Sequence, residues 1–120
     1  MTMTRRTDWP RYYILVDRVP FAVDRMTWAD WFETPDRRVA ETEIDSRCRV
    51  STVFLGLDHN FGDGEPVLFE TMIFGGPLAG EMWRYATWAE AEQGHRQAVE
   101  QAKIAAARIK AIAAAAHSRL

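Results

Sequence analysis

A single long helix at the C-terminal end constrains the fold of this chain more than any other feature. Residues 87–90 read Thr-Trp-Ala-Glu, a capping box in which a threonine hydroxyl and a glutamate carboxylate close the first turn of a helix. No proline follows, so the pattern predicts one helix over residues 88–117 despite Gly94. At about 1.5 Å per residue this helix is ~45 Å long. A 120-residue globule has a radius of gyration of only ~14 Å, so we expect the far end to extend beyond the body.

The predicted helix carries a stripe of small and apolar residues at alternating spacings of four and three. Its members are Ala91, His95, Ala98, Ala102, Ala105, Ile109, Ile112 and Ala116. This is heptad spacing, and small side chains allow another helix to approach closely. A stripe that extends beyond the body either frays or fills an oligomer interface, so we expect self-association through the C-terminal helix.

Charge is distributed unevenly along the chain. Residues 1–100 contain 11 arginines and 17 acidic residues, a balance of −6, whereas residues 101–120 contain four cations and no acid. Cations near a helix C-terminus complement the helix dipole. Because the pI of the whole chain is about 5.9, phosphate contacts are a poor source of affinity, and nucleic acid is not an expected partner.

The length and composition indicate one domain over residues 1–120, with residues 1–10 as a flexible lead-in. No run of 18 apolar residues is present, so we expect no membrane span and a cytoplasmic protein. The single cysteine, Cys48, allows neither an internal disulfide nor a zinc site of the Cys-x-x-Cys kind.

Upstream of the long helix, runs rich in β-branched and aromatic residues predict strands over residues 11–16, 19–23, 38–44, 48–57, 67–74 and 81–86. The run 67–74 is apolar on both faces, which is typical of a central strand covered on both sides. Thr27 is expected to cap a short helix that presents Trp28, Trp31 and Phe32 on one face. The predicted fold is α+β, a mainly antiparallel meander sheet of four to six strands covered by a short aromatic helix and a long Ala-rich C-terminal helix.

Aromatic and basic side chains gather where the last predicted strand enters the helix. Tyr85 and Trp88 provide stacking faces, and Arg84 provides a guanidinium close to a helix start. Such groups suit a base and a phosphate, although a plain aromatic core explains them as well. His95 lies on the helix stripe, where it is a hydrogen-bonded interface residue, half of a symmetric pair or part of a pocket.

The loop over residues 58–65 concentrates polar side chains after a strand. Asp58, His59 and Asp63 have the chemistry of divalent-ion ligands, but the spacing fails the EF-hand pattern. Asn, Asp and Gly are also ordinary turn residues, so a structural turn is the competing interpretation. Cys48, flanked by two arginines, is either a buried bystander or, if exposed, a thiol with a lowered pKa.

Four segments carry a resemblance to a known family: residues 31–40 (WFETPDRRVA), 50–64 (VSTVFLGLDHNFGDG), 68–76 (LFETMIFGG) and 84–95 (RYATWAEAEQGH). Over roughly residues 12–99 the chain resembles a family of small uncharacterised proteins encoded by tailed bacteriophages and prophages. The resemblance implies an origin and no catalytic residue. Small phage accessory proteins of this kind often block host defences, which implies counter-defence by analogy alone.

The leading hypothesis is a phage-encoded non-enzymatic binding protein that sequesters a small anionic nucleotide-type immune signal. Its expected ligand-binding residues are His59, Asn60, Arg84, Tyr85, Trp88 and His95. Neither a cofactor nor a resident metal is expected.

Two alternatives remain open at this stage. One is an anti-CRISPR type inhibitor of a host defence complex, which would use Glu41, Glu43 and Asp45 against a basic protein surface. The other is a metal-dependent hydrolase centred on the loop 58–65.

Overall fold

The computed structural model describes residues 11–33, 36–60, 62 and 64–118. The predicted lead-in (residues 1–10) lies outside this set. Six strands and two helices follow one another in chain order: β1 Tyr12–Val16, β2 Val19–Val23, α1 Arg25–Phe32, β3 Arg38–Asp45, β4 Cys48–Phe54, β5 Phe69–Phe74, β6 Met82–Tyr85 and α2 Trp88–Ser118. The predicted α+β class is confirmed, with a short helix after β2 and a long helix at the C-terminal end.

The strands form two sheets. β1 and β2 are an antiparallel hairpin, and β3 to β6 form a four-stranded antiparallel meander in chain order. The hairpin turn consists of Asp17 and Arg18, which have φ angles of 51° and 69°. Positive φ at both turn residues is what a type I′ turn requires, and this turn matches the twist of the two strands.

One face of the four-stranded sheet is covered by α2 and forms the core. Along β4, Val50, Thr52 and Phe54 point to this face and are buried, while the residues between them are exposed or half-buried. β5 lies inside the sheet as predicted, but the expectation that both of its faces are covered is wrong. Phe74 on the outer face is 40% exposed. The apolar residues on this face of β5 are therefore not covered by a second layer.

The β1–β2 hairpin and α1 pack at the end of the sheet near the start of α2. The Trp31 ring meets the Phe54 ring edge to face, with centroids 5.8 Å apart. On the same helix, the Trp28 ring lies 5.2 Å from the Tyr12 ring of β1. The aromatic face of α1 therefore joins the hairpin to the core, as aromatic pairs of this geometry do.

The start of α1 differs from the prediction. Asp24, not Thr27, is the N-cap: its carboxylate accepts a hydrogen bond from the Thr27 backbone N–H at 2.7 Å. That bond favours the ionised carboxylate and lowers the pKa of Asp24. Both residues are good caps by type, and the earlier one begins the helix because it directly follows the end of β2.

The α2 helix begins with the predicted capping box. Glu90 N–H donates to the Thr87 hydroxyl at 3.1 Å, and the Glu90 carboxylate accepts from Thr87 N–H at 3.1 Å. The helix then continues unbroken to Ser118, and its buried residues end at Ala102. Within the described residues neither helix is long and apolar enough to cross a membrane.

The second half of α2 extends past the body of the domain. The molecule measures 71 × 34 × 19 Å and has a radius of gyration of 18.6 Å, against ~14 Å for a compact chain of this length. The predicted stripe is thereby divided. Its first part, from Ala91 to Ala102, is covered by the protein's own sheet, so only the part from Ala105 onward is left for another partner.

Candidate functional site

The structure separates Arg84 from Tyr85. Successive residues of a strand point to opposite faces, and on β6 Tyr85 faces α2 while Arg84 faces the open side of the sheet. There the Arg84 guanidinium donates to the Glu70 carboxylate at 3.1 Å. The two residues therefore do not form one recess within a single chain, and their role in binding a ligand stays a prediction.

Trp88 lies next to Tyr85 at the edge of the core. Its ring meets the Phe69 ring edge to face at 6.1 Å, and the guanidinium of Arg18 lies 5.2 Å from the Trp88 ring centroid. A cation therefore does sit over this indole, but it comes from the β1–β2 turn instead of from Arg84. The hairpin that sequence reasoning treated as a simple strand pair thus supplies the cation.

The loop after β4 uses most of its polar groups on itself. The buried Asp58 carboxylate accepts hydrogen bonds from the backbone N–H groups of Asn60 (2.8 Å) and Val67 (3.0 Å). The Asn60 amide donates to the Glu65 carbonyl at 2.8 Å and accepts from Gly62 N–H at 3.0 Å. These bonds are typical of Asx turns and favour the structural-turn interpretation.

The loop geometry commits one Asp58 oxygen, Oδ1, to two backbone N–H groups, and the metal-dependent hydrolase stays a prediction. Asp63 lies outside the described residues. Among the residues that are described, no group of three His, Cys, Asp or Glu side chains is placed to hold a metal ion.

His95 lies between α2 and the sheet in a buried chain of hydroxyl groups. Its Nε2 is 2.9 Å from the Thr42 hydroxyl, and its Nδ1 is 2.7 Å from the Thr52 hydroxyl. The Thr52 hydroxyl is in turn 2.6 Å from that of Thr71. A neutral imidazole satisfies this chain by donating from one ring nitrogen and accepting at the other. Burial lowers the pKa of His95, which favours that neutral form.

Sequence reasoning identified His95 but missed the three threonines. Each of them occupies an inward-facing position of its strand, and Thr52 and Thr71 are completely buried. The sequence does contain a signal for this network: three neighbouring strands each have a polar residue at an inward-facing position, and the helix that covers them carries a histidine. The hydrogen bonds of His95 lie within one chain, between α2 and the sheet. His95 also lines a cavity of about 420 Å³ with Thr42 and Glu100, so the pocket interpretation is supported, and the symmetric pair stays a prediction.

Cys48 is 4% exposed at the start of β4. Burial raises the pKa of the thiol, and the nearby Asp45 carboxylate raises it further. The alternative of a thiol activated by its arginine neighbours is therefore wrong, because Arg49 points to the open face and lies 4.2 Å over the Phe74 ring.

His59 is brought together with residues outside the expected ligand-binding set. A cavity of about 420 Å³, here called the β1–α1 cavity, lies between β1, α1 and the loop after β4. Its lining consists of Arg11, Tyr12, Arg25, Trp28, Leu57, Asp58 and His59. A larger cavity of about 670 Å³ lies along α2 beside the β3–β4 and β5–β6 turns, and Ile109 and Lys110 are among the residues that line it.

Comparison of the chain with models of protein families, with curated proteins and with solved structures gives no match. The resemblance to phage-encoded proteins therefore stays a prediction.

Proposed function

We propose that this protein is a phage-encoded non-enzymatic binding protein that acts in counter-defence in the cytoplasm of the host bacterium. It sequesters a small anionic nucleotide-type immune signal and works as an assembly joined through the protruding half of α2. The phage origin and the counter-defence role are supported by the sequence resemblance. The assembly is supported by one observation, the apolar surface of a helix that continues beyond its own domain.

That surface belongs to the protruding segment, defined as residues 103–118. Ile104, Ile109 and Ile112 are 46%, 52% and 65% exposed along it. An isolated helix of this length is only marginally stable in water, so tertiary contacts are needed to hold it. Covering Ile109 and Ile112, the two that belong to the stripe, removes their apolar surface from water and stabilises the helix at the same time.

The charges favour a second copy of this chain as the partner that covers the protruding segment. The protruding segment contains Lys103, Arg108 and Lys110 and no acidic residue, so two such segments repel one another. Residues 1–100 carry the opposite balance, −6. We therefore place the segment of one copy against the body of its partner, beside the exposed Asp45 at the end of β3. A two-fold axis makes this contact reciprocal.

Native mass spectrometry of the protein purified from phage-infected cells tests both parts of the proposal. The expected spectrum contains an oligomer that retains a small anionic molecule. Bare single chains at every concentration would contradict the proposal. The Ile109→Glu variant, purified in the same way, reports whether the retained molecule depends on assembly.

A second candidate, an inhibitor that binds a host protein surface, is favoured by the edge strand β3. Glu41, Glu43 and Asp45 lie at alternate positions of this strand, and all three are exposed. Glu41 is already paired with Arg49 at 2.9 Å, which leaves the other two for a basic partner. This function predicts a protein complex that dissociates as the salt concentration rises. Replacing Glu43 and Asp45 with lysine should abolish the complex.

A further inference from the structure

Strand β3 forms an open edge of the four-stranded sheet. Among the described residues it pairs with β4 on one side and with no strand on the other. About half of the backbone N–H and C=O groups of an edge strand point away from the sheet. The burial agrees with an open edge, because Thr42 and Ile44 face α2 yet are only half-buried, whereas the inward-facing residues of β4 are buried. The edge of β3 therefore offers backbone groups to which a further strand can bind.

A groove lies beside this edge, between β3 and α2, and is here called the β3–α2 groove. Its volume is about 420 Å³, and its lining includes Thr42 of β3 together with Val99, Lys103 and Ile104 of α2. Val99 is half-buried and Ile104 is exposed, so α2 contributes apolar surface that is not fully covered. A strand added to β3 would place every second side chain in this groove. Apolar side chains at those positions would cover Val99 and Ile104.

The other side chains of an added strand would lie on the open side of the sheet, beside the outward-facing residues of β3. Glu43 is one of these, and it is exposed. Arg49 is opposite Glu43 in the register, but its guanidinium is directed to the Glu41 carboxylate at 2.9 Å. Glu43 forms no hydrogen bond or ion pair with a residue that the structure describes. A carboxylate in this position favours a basic side chain on the adjacent strand.

The same charges argue against a second copy of this chain as the added strand. β3 contains three carboxylates and one cation. Two antiparallel copies of β3 would bring the acidic side chains of one copy beside those of the other, and like charges on adjacent strands are destabilising. A basic segment of another protein meets no such repulsion.

We propose that the edge of β3 binds an extended segment of a partner protein as an additional outer strand. Basic and apolar residues alternate in this segment. Its apolar side chains lie in the β3–α2 groove against Val99 and Ile104, and its basic side chains lie on the open side beside Glu43. This proposal rests on the second candidate function, the binding of a host protein surface, and specifies the partner's chemistry and its mode of binding.

Two peptides of the same composition test the strand addition. One, acetyl-Lys-Val-Lys-Val-Lys-Val-Lys-amide, alternates, and the other, acetyl-Lys-Lys-Lys-Lys-Val-Val-Val-amide, does not. Isothermal titration calorimetry should show one alternating peptide bound per chain. The grouped peptide should bind at least about tenfold more weakly, because it cannot place its valines in the groove and its lysines on the open side together. Amide hydrogen exchange should slow on β3 when the alternating peptide binds and stay unchanged on β6, the opposite edge.

Two charge reversals test the contact with Glu43. Glu43→Lys should weaken binding of the alternating peptide about threefold or more, because it replaces an attraction between adjacent strands with a repulsion. Glu81→Lys is the matched control, since it makes the same charge change at an exposed position just before β6. At that distance the charge is largely screened, so binding should stay within about twofold of the wild type.

Any of four results would overturn the strand addition: neither peptide binds, both bind equally well, exchange slows elsewhere than on β3, or Glu43→Lys binds as tightly as the wild type. The first result is expected if the carboxylates of β3 serve only to prevent pairing of the edge. Exchange on β3 that slows as the concentration of the free protein rises would place a second copy at the edge and would also overturn it.

The second candidate function fails on different evidence. If the alternating peptide does not bind, but a salt-sensitive complex with a host protein is lost when Glu43 and Asp45 are replaced with lysine, only the strand addition is wrong. Both are wrong when the peptide does not bind and no such complex forms.

Discussion

Gly94 provides a sharp test of how α2 packs on the sheet. Glycine inside a helix costs about 1 kcal/mol relative to alanine, so helix propensity alone predicts that Gly94→Ala stabilises the protein. The structure predicts the opposite, because a β-carbon built on Gly94 would lie well under 3.0 Å from three atoms of the Tyr85 side chain. Overpacking of this kind costs about 1–3 kcal/mol. With the propensity gain of about 1 kcal/mol subtracted, we expect a net loss of about 0–2 kcal/mol.

The assay is equilibrium unfolding in urea followed by helix circular dichroism, at one fixed protein concentration so that assembly contributes equally. The control is the same substitution in a Tyr85→Ala background, which removes the ring. There Gly94→Ala should stabilise the protein by up to ~1 kcal/mol. The two substitutions should therefore couple by about 1–3 kcal/mol, which is the cost of the clash. Stabilisation of the wild-type background by Gly94→Ala, with no coupling to Tyr85, would refute this packing.

Two further predictions concern buried groups. Because the pKa of His95 is lower in the folded than in the unfolded chain, its contribution to stability is complete above the unfolded pKa of ~6.5 and is lost as pH falls below that value. Between pH 7.5 and pH 5.5, the free energy of unfolding in urea should therefore decrease more for the wild type than for His95→Gln. Equal decreases would argue against a buried neutral imidazole. Because Cys48 is buried and the pKa of its thiol is raised, a thiol reagent at neutral pH should label the native protein at least about tenfold more slowly than the urea-unfolded protein. Equal labelling rates would mean that the thiol at the start of β4 is accessible to solvent.

The elements were predictable where one local pattern dominates. The capping box at Thr87 and the absence of proline after it located α2 to within a residue at each end. Strand periodicity located all six strands, because alternation and turn residues are local signals. The helix start at Asp24 was missed because two capping residues lie three positions apart, and only the end of β2 decides between them.

The candidate site was less predictable because it depends on contacts between distant segments. Alternation along β6 is visible in the sequence and implies that Arg84 and Tyr85 point to opposite faces, although the two residues are adjacent in the chain. The cavity joins Tyr12, Trp28 and His59, which are brought together only by the packing of the hairpin, α1 and the loop after β4. No spacing rule connects such positions.

The proposed assembly requires the protruding segment to contact a second copy of the chain. Sedimentation equilibrium of the wild type tests this directly, with Ile109→Glu and Ala107→Glu as a matched pair that adds the same charge to two sides of α2. Because Ile109 lies on the stripe and Ala107 does not, the wild type and Ala107→Glu should have at least twice the 13.8 kDa mass of one chain, and Ile109→Glu should have that mass alone. A wild type that sediments at 13.8 kDa at every concentration would contradict the account.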